Sequence, residues 1–184
     1  MGAGAVWVLG VRWSPEGDVE HGGDLIRVDP ETNTVAARIP LGGFHVAAGA
    51  DEVWVRFPAD GAFDGPDERW LWTRVDARTN QPSPPFEFEA AGLDLVTPEV
   101  LWSVDYDEEE HVRVTGYDPR TLDVVARSEP IRSYFHDAVI DPVSRTVWIS
   151  AIWSLVRVDI VEESGRAGTP PPQPHPSGLA TDGT

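Results

Sequence analysis

Short apolar runs centred on tryptophan recur along the chain at a nearly constant interval. They occupy 6–8, 53–55, 101–103 and 147–149, and their tryptophans are 47, 48 and 46 residues apart. Runs of three or four β-branched, aliphatic and aromatic residues are typical of short strands that are covered on both faces. No stretch keeps a helical period, so the pattern predicts an all-β protein.

A second signature follows each tryptophan run and predicts a tight turn. An aspartate ends the next apolar segment, and in the first three units a threonine stands three positions later. Side chains of this kind bond to nearby backbone amides and fix a turn. The pairs are Asp29 with Thr32, Asp76 with Thr79, and Asp118 with Thr121. Calcium ligation is the alternative, but recurrence at every turn favours the structural interpretation, which makes 29–32 a hairpin turn.

A further apolar segment precedes the second, third and fourth tryptophan runs, at 45–49, 93–96 and 136–140. The small residues Ala47, Ala48 and Gly49 suit a crowded innermost strand, whereas Val35, Ala37 and Ile39 alternate with polar or small residues as an outer strand does. Four strands in about 47 residues are the blade of a β-propeller. We therefore expect one all-β domain, a propeller of about four blades of four antiparallel strands, with blade units at roughly 1–43, 44–91, 92–133 and 134–184 and a proline-rich loop at 165–176.

The ends of the chain leave two architectures open. Residues 176–183 look like the first strand of another period, and the first tryptophan run lacks a strand before it. The chain is therefore either a partial propeller, cut from one of six to eight blades, or a closed four-blade ring. In the closed ring the last strand completes the first blade and removes exposed sheet edges.

The segments 25–35, 49–55 and 176–183 carry a family resemblance. They are similar to the repeats of bacterial propellers of the YVTN and streptogramin-lyase-like (NHL-like) type, a broad WD40-like architecture. The resemblance implies an exported binding or sensor module, and in a few members a lyase or lactonase. The lyases use a histidine and a magnesium-binding glutamate within one short loop. Here His45 and His136 have no glutamate two positions earlier, which favours a binding module.

Composition narrows the choice of partner. The 184 residues include 14 basic residues, all arginine, and 31 acidic ones, for a net charge of −17, and there is no cysteine. Nucleic-acid binding needs basic patches, a membrane span needs about 18 consecutive apolar residues, and disulfides need cysteine. We therefore expect a protein or small-molecule partner, or the remaining blades of a longer chain, with no nucleic acid and no membrane insertion. The compartment is not determined: the resemblance suggests an extracytoplasmic location, yet the first residues do not resemble a signal peptide.

Three residues are expected at the mouth of the central channel, where each innermost strand begins. His45, Asp94 and His136 occupy matching positions in successive blades. Histidine and aspartate bind divalent cations such as Zn²⁺, and histidine transfers protons. The alternative is a polar, hydrated funnel without chemistry. We expect no cofactor. If these residues do bind one, their chemistry suits a divalent cation.

Acidic insertions with aromatic residues are expected on the same face, as a rim suited to a cationic peptide, a polyamine-like ligand or Ca²⁺. The predicted rim comprises Trp13, Glu20, His21, Phe63, Asp64, Tyr106 and Asp107. The leading hypothesis is a non-enzymatic propeller module that binds a protein partner or small ligand on this loop face. The alternative is a metal-assisted lyase or hydrolase at the channel mouth, and a sensor domain of a membrane receptor is a third hypothesis.

Overall fold

The protein is built of antiparallel β-sheet throughout the part of the chain that the structure describes. The computed structural model describes residues 3–10, 12–13, 19–20, 23–59, 69–106, 111–132, 135–141, 146–151, 154–159 and 161–162. Of these, 12–13, 19–20, 135–137, 151, 154, 159 and 161–162 are described by their backbone alone. Within these segments there is no helix, and so none that is long and apolar enough to cross a membrane.

Seventeen strands follow one another along the described segments. In chain order they are β1 (Val6–Leu9), β2 (Arg12–Trp13), β3 (Val19–Glu20), β4 (Leu25–Asp29), β5 (Thr34–Ile39), β6 (His45–Ala48), β7 (Glu52–Pro58), β8 (Trp70–Asp76), β9 (Gln81–Pro82), β10 (Leu95–Val96), β11 (Leu101–Tyr106), β12 (Val112–Tyr117), β13 (Val124–Arg127), β14 (Phe135–Asp141), β15 (Thr146–Ala151), β16 (Ser154–Asp159) and β17 (Val161–Glu162).

The strands form four main sheets. Sheet 1 has the order β1-β4-β5, sheet 2 β6-β7-β8-β9, sheet 3 β10-β11-β12-β13 with β17 added at its outer edge, and sheet 4 β14-β15-β16. The short β2-β3 hairpin lies in the connection from β1 to β4. All strand pairs are antiparallel. The predicted all-β class is therefore confirmed.

The tryptophans occupy the same register position in each sheet. Trp7 is paired with Arg27, Trp54 with Arg74, and Trp148 with Arg157 across the neighbouring strand. Sheet 3 differs, because Trp102 is paired with Gly116. A Cβ atom on Gly116 would lie 2.8 Å from Cζ3 of Trp102, so the ring occupies the space that a side chain would need.

The predicted hairpin turn at 29–32 is confirmed, and two further turns are built in the same way. One carboxylate oxygen of Asp29 accepts the backbone N–H groups of Glu31 and Thr32, at 2.8 and 3.4 Å. Asp76 and Asp118 accept the N–H groups two and three positions later, at 2.7–3.2 Å. The fourth residue after each aspartate has a left-handed backbone, with φ of 53°, 59° and 64° at Asn33, Asn80 and Leu122.

Apolar packing holds consecutive sheets together, face to face. One buried cluster joins sheets 1 and 2, a second joins sheets 2 and 3, and a third joins sheets 3 and 4. Trp7, Trp54 and Trp102 each lie in the cluster shared with the following sheet. The residues beside each tryptophan in the strand face the preceding sheet, as Val53 and Val147 do. The described strands thus stack in chain order, and those of sheet 4 are not hydrogen-bonded to sheet 1.

The first strands of successive sheets lie side by side. Strand β6 contacts both β1 and β10. A Cβ atom on Gly49, at the end of β6, would lie 2.6 Å from Cγ1 of Val96 in β10. The small residues expected at 47–49 do lie in a crowded place, whereas an innermost position in a propeller stays a prediction.

Candidate binding site at the loop end

The two ends of the stacked sheets carry different connections. Tight turns join β6 to β7 and β8 to β9 at one end, the turn end, where the turn aspartates Asp29, Asp76 and Asp118 lie. The longer connection from β7 to β8 lies at the opposite end, which we call the loop end, and the connection from β9 to β10 runs beside β8 from the turn end to the loop end. His45 opens β6 and Asp94 directly precedes β10. Two of the three predicted channel-mouth residues therefore lie at the loop end, on consecutive sheets.

His45 connects sheet 2 to the segment that enters sheet 3. Its Nε2 atom lies 2.9 Å from the carbonyl oxygen and 3.0 Å from the amide nitrogen of Leu93. A protonated Nε2 donates to the carbonyl, whereas an unprotonated Nε2 accepts from the N–H group. The imidazole also stands edge-on to Trp72, with ring centroids 6.0 Å apart. This side chain is therefore held between the two sheets in either state.

Asp94 caps the inner edge of sheet 3. Its Oδ2 atom accepts the backbone N–H of Val104 at 2.7 Å, and its own N–H donates to the carbonyl of Trp102 at 2.8 Å. Strand β10 is only two residues long, so Val104 lies beyond its reach, and the carboxylate supplies the acceptor that a longer strand would have provided. Asp94 also lines an open groove of about 350 Å³ along β6 and β10.

An arginine on an indole ring forms the most distinctive feature of the loop end. The guanidinium carbon of Arg56 lies 4.0 Å from the ring centroid of Trp70. One of its nitrogens donates to the carbonyl oxygen of Ala91 at 2.6 Å. The ring of Phe44 packs against the same indole, with centroids 5.6 Å apart, and is 58% exposed. Aromatic faces and a carbonyl acceptor thus bind one cation of the protein itself.

Asp105 lies beside this arginine in a partly buried position. Burial raises the pKa of its carboxyl group, although the hydroxyl of Ser103, the N–H of Ala91 and the nearby positive charge of Arg56 act in the opposite direction. Ser103 Oγ donates its hydrogen bond to Asp105 Oδ2, and its own side chain is fully buried. The loop end therefore holds a carboxyl group that takes up a proton more readily than an exposed aspartate does.

Tyr117 lies in the cluster between sheets 2 and 3, near enough to Asp105 for that carboxylate's charge to act on its phenol. Burial, followed by the negative charges of Glu89 and Asp105, raises the pKa of its phenol to about 12. Its ring stands edge-on to Phe88, with centroids 4.8 Å apart. The phenol therefore stays protonated well into the alkaline range.

The structure describes only some of the predicted site residues. It brings His45 and Asp94 together, and it places Tyr106 at the loop end of β11 with 45% of its surface exposed. His136 lies in β14, and Trp13 and Glu20 lie in the β2-β3 hairpin, but the side chains of all three are outside the described part. Four predicted rim residues are outside it altogether: His21, Phe63, Asp64 and Asp107.

A metal site at the channel mouth stays a prediction. Among the side chains that the structure describes, no group of three or more histidine and acidic residues is arranged to hold a metal ion. The predicted set includes His136, whose side chain is outside that part. The described contacts of His45 and Asp94 are made with the backbone of sheet 3.

Sequence reasoning missed Phe44, Arg56 and Asp105 as members of this site. The strand pattern could have found Arg56, because antiparallel register places it opposite both His45 and Trp72. Of the two tryptophans in β8, Trp72 is fully buried, whereas Trp70 is only partly buried and stacks on Arg56.

Comparison with known proteins adds no relatives. No family model matches the chain, and no curated protein is similar to it.

Proposed function

We propose that the chain is a β-propeller segment that acts as a non-enzymatic binding module, and that its loop end binds a positively charged segment of a partner protein. The arginine held on Trp70 is the observation that carries this proposal. It is an example, within the protein, of the kind of ligand that we expect the surrounding surface to bind.

The order of the sheets supports the propeller. Sheets 1, 2 and 3 each pack the tryptophan face on the next sheet in the chain, and the first strands β1, β6 and β10 lie side by side. Radial repetition of small antiparallel sheets about their first strands is the arrangement of propeller blades. In such an arrangement the loop ends of consecutive blades share one surface, and propellers commonly bind ligands there.

Exposed aromatic rings supply the apolar part of the proposed surface. Phe44 and Tyr106 are 58% and 45% exposed and belong to the loop ends of sheets 2 and 3. A guanidinium or ammonium group over an aromatic face gains about 0.5–1 kcal/mol at an exposed site, and more where water is displaced. Arg56 is an example of such a contact. Its guanidinium group lies over the ring of Trp70 and donates an N–H to the carbonyl oxygen of Ala91.

Negative charge supplies the long-range part of the proposed attraction between the loop end and a cationic segment. The chain carries a net charge of −17, and Glu89, Asp94 and Asp105 lie at or near the loop end of sheet 3. An acidic surface draws cationic segments towards it and raises the rate of association, an effect that salt screens. An arginine-rich peptide is therefore the ligand class that fits the described residues best.

The contacts of the candidate catalytic residues support binding over catalysis. His45 and Asp94 use Nε2 and Oδ2 to hold the backbone of sheet 3. The Ser103 hydroxyl donates to Asp105 and is fully buried, a position that does not suit a nucleophile that must reach a substrate. These side chains build the surface on which we place the ligand.

Fluorescence anisotropy with a labelled hexa-arginine peptide tests the proposal. We expect saturable binding that weakens as salt is raised, and no binding of a hexa-glutamate peptide. Phe44→Ala combined with Tyr106→Ala should weaken binding about tenfold, which corresponds to about 1.4 kcal/mol. Val35→Ala is the matched control, because Val35 is 50% exposed but lies on the outer strand of sheet 1.

Two outcomes would reject the proposal. One is that the arginine peptide does not bind at low salt. The other is that the Phe44/Tyr106 double variant and the Val35 control lose the same affinity, which would mean that binding depends on net charge alone. Circular dichroism and the melting temperature of each variant show that the fold is intact.

A further inference from the structure

Within the described part of the chain, no segment covers the face of sheet 4 that earlier sheets bury. Val139, Trp148 and Leu155 are 65%, 41% and 65% exposed. Their register places all three on one face, with Val139 opposite Trp148 on β15 and Leu155 two positions before Arg157, the residue opposite Trp148 on β16. The same register positions in sheet 2 hold Ala47, Trp54 and Trp72, which are 8%, 0% and 0% exposed beneath sheet 3.

Sheet 1 leaves uncovered the opposite, complementary face. Val8 follows Trp7 in β1 and is 44% exposed. Val55 and Ile149 hold the same position after Trp54 and Trp148, and both are fully buried against the sheet that precedes theirs. The described sheets therefore expose, at the two ends of the stack, the two halves of an interface that consecutive sheets form within the chain.

Polar contacts across those internal interfaces show how the two faces would align. Arg27 of sheet 1 donates to the carbonyl of Ala77, at 2.8 Å, and to Oδ1 of Asn80, at 3.2 Å, in the turn of sheet 2. Arg74 of sheet 2 donates in the same way to the carbonyl of Pro119 in the turn of sheet 3, at 3.4 Å. Each arginine lies opposite the tryptophan of its own sheet.

Sheet 4 and sheet 1 carry the matching groups. Arg157 lies opposite Trp148, where Arg27 and Arg74 stand in their sheets. In the turn of sheet 1, Pro30 and Asn33 take the places of Ala77 and Asn80. The residue between them, Glu31, is acidic where the other two turns have Arg78 and Arg120. The turn of sheet 1 is thus complementary in charge to the arginine of sheet 4.

We propose that two copies of the chain associate head to tail, with the Val8 face of one copy packed on the Trp148 face of the other. Arg157 then reaches the Pro30 carbonyl and Asn33 of the neighbouring copy, as Arg27 reaches Ala77 and Asn80 within the chain. The inference follows from how the sheets stack and goes beyond the ligand proposed for the loop end.

A second copy in the reversed arrangement fits less well. Packing one Trp148 face on another would bring two Arg157 side chains to the same interface, whereas the head-to-tail arrangement places Arg157 beside Asp29 and Glu31. Head-to-tail contacts are heterologous, so each copy uses one face as a donor and the other as an acceptor. This property makes the arrangement testable by mixing variants.

Sedimentation velocity on the 184-residue chain and two variants tests the inference. Val8→Glu removes only the sheet 1 face, and Trp148→Glu removes only the sheet 4 face. We expect the unmodified chain to have the mass of two copies or more and each variant alone to be monomeric. An equal mixture of the two variants should form a dimer, since each supplies the face that the other lacks. Leu155→Glu tests the sheet 4 face a second time, at a residue that is more exposed than Trp148. Tyr106→Glu, at the loop end, is the matched control and should still associate.

Three results would overturn the inference. The first is that the unmodified chain sediments as a single copy at every concentration tested. The second is that either single variant associates as strongly as the unmodified chain, which would mean that a face binds its own copy or that the faces are not used. The third is that the mixture of variants stays monomeric although both are folded by circular dichroism. None of these results bears on binding of the arginine peptide, which is measured separately.

Discussion

At the scale of single residues, polar side chains replace missing backbone partners. Asp29, Asp76 and Asp118 accept the free N–H groups of their turns. Asp94 does the same for Val104 at the edge of sheet 3. Four of the 31 acidic side chains therefore have a structural role. The charge that remains at the loop end is what we connect with binding.

The turn aspartates predict a loss of stability in acid. Their hydrogen bonds with the backbone lower the pKa of Asp29, Asp76 and Asp118 below the ordinary value of 3.8. Their contribution is thus present above about pH 4 and is lost as the pH falls through the lowered values. Asp76→Ala should lower the melting temperature at pH 6, and the difference from the unmodified protein should shrink by pH 2–3. An equal difference at both pH values would contradict this account.

Asp105 predicts the opposite dependence. Burial raises its pKa in the folded protein, so its contribution to stability is largest below the unfolded value and is lost as the pH rises through the folded one. Asp105→Asn should therefore raise the melting temperature at pH 7 and have little effect at pH 3. Glu31→Gln at the turn end is the exposed control. A lower melting temperature for Asp105→Asn at pH 7 would show that the charged form is needed by Ser103 and Ala91.

At the scale of strands and turns, the sequence is informative because period and turn chemistry are local. The tryptophan runs lie in strands β1, β7, β11 and β15, and the aspartate signatures lie in hairpin turns. The segment 93–96 became a strand only at Leu95–Val96, because the side chain of Asp94 takes over one ladder bond. Register could have placed Arg56 opposite His45 and Trp72, but its stacking on Trp70 was not predictable, since it depends on the side-chain conformation and on where the connection to β10 places the Ala91 carbonyl.

The contact between the first strands of sheets 2 and 3 can be tested at Gly49. A Cβ atom there would meet Cγ1 of Val96 at 2.6 Å, so Gly49→Ala should cost about 1–3 kcal/mol of unfolding free energy. In the Val96→Ala background the same change should cost less, because Cγ1 is gone. Urea denaturation of the four proteins gives the coupling. Additive effects would show that β6 and β10 do not approach each other closely.

At the scale of the whole molecule, the sheets form an ordered stack with unlike ends. Three apolar clusters join sheets 1 to 2, 2 to 3 and 3 to 4. The tryptophans of sheets 1, 2 and 3 each face the sheet that follows in the chain. This order explains why Trp54 is fully buried and Trp148 is 41% exposed although they occupy the same register position. The propeller arrangement and the use of both exposed ends remain our proposals.

The stack predicts unequal effects of removing equivalent tryptophans. Trp54→Ala should cost about 3–5 kcal/mol, as is usual for a large buried side chain. Trp148→Ala should cost less than about 2 kcal/mol when measured where the protein is monomeric. Urea unfolding of both variants provides the comparison. Equal costs would mean that a further part of the chain covers sheet 4.

The location of the bound cation tests the central claim most directly. The unmodified protein, labelled with ¹⁵N, is titrated with the hexa-arginine peptide, and the indole N–H signals of its tryptophans are followed. We predict that the signal of Trp70, at the loop end, shifts early and saturates, and that those of Trp7 and Trp54 in the core change little. Shifts confined to the turn end, at the amides that follow Asp29, Asp76 and Asp118, would contradict the claim.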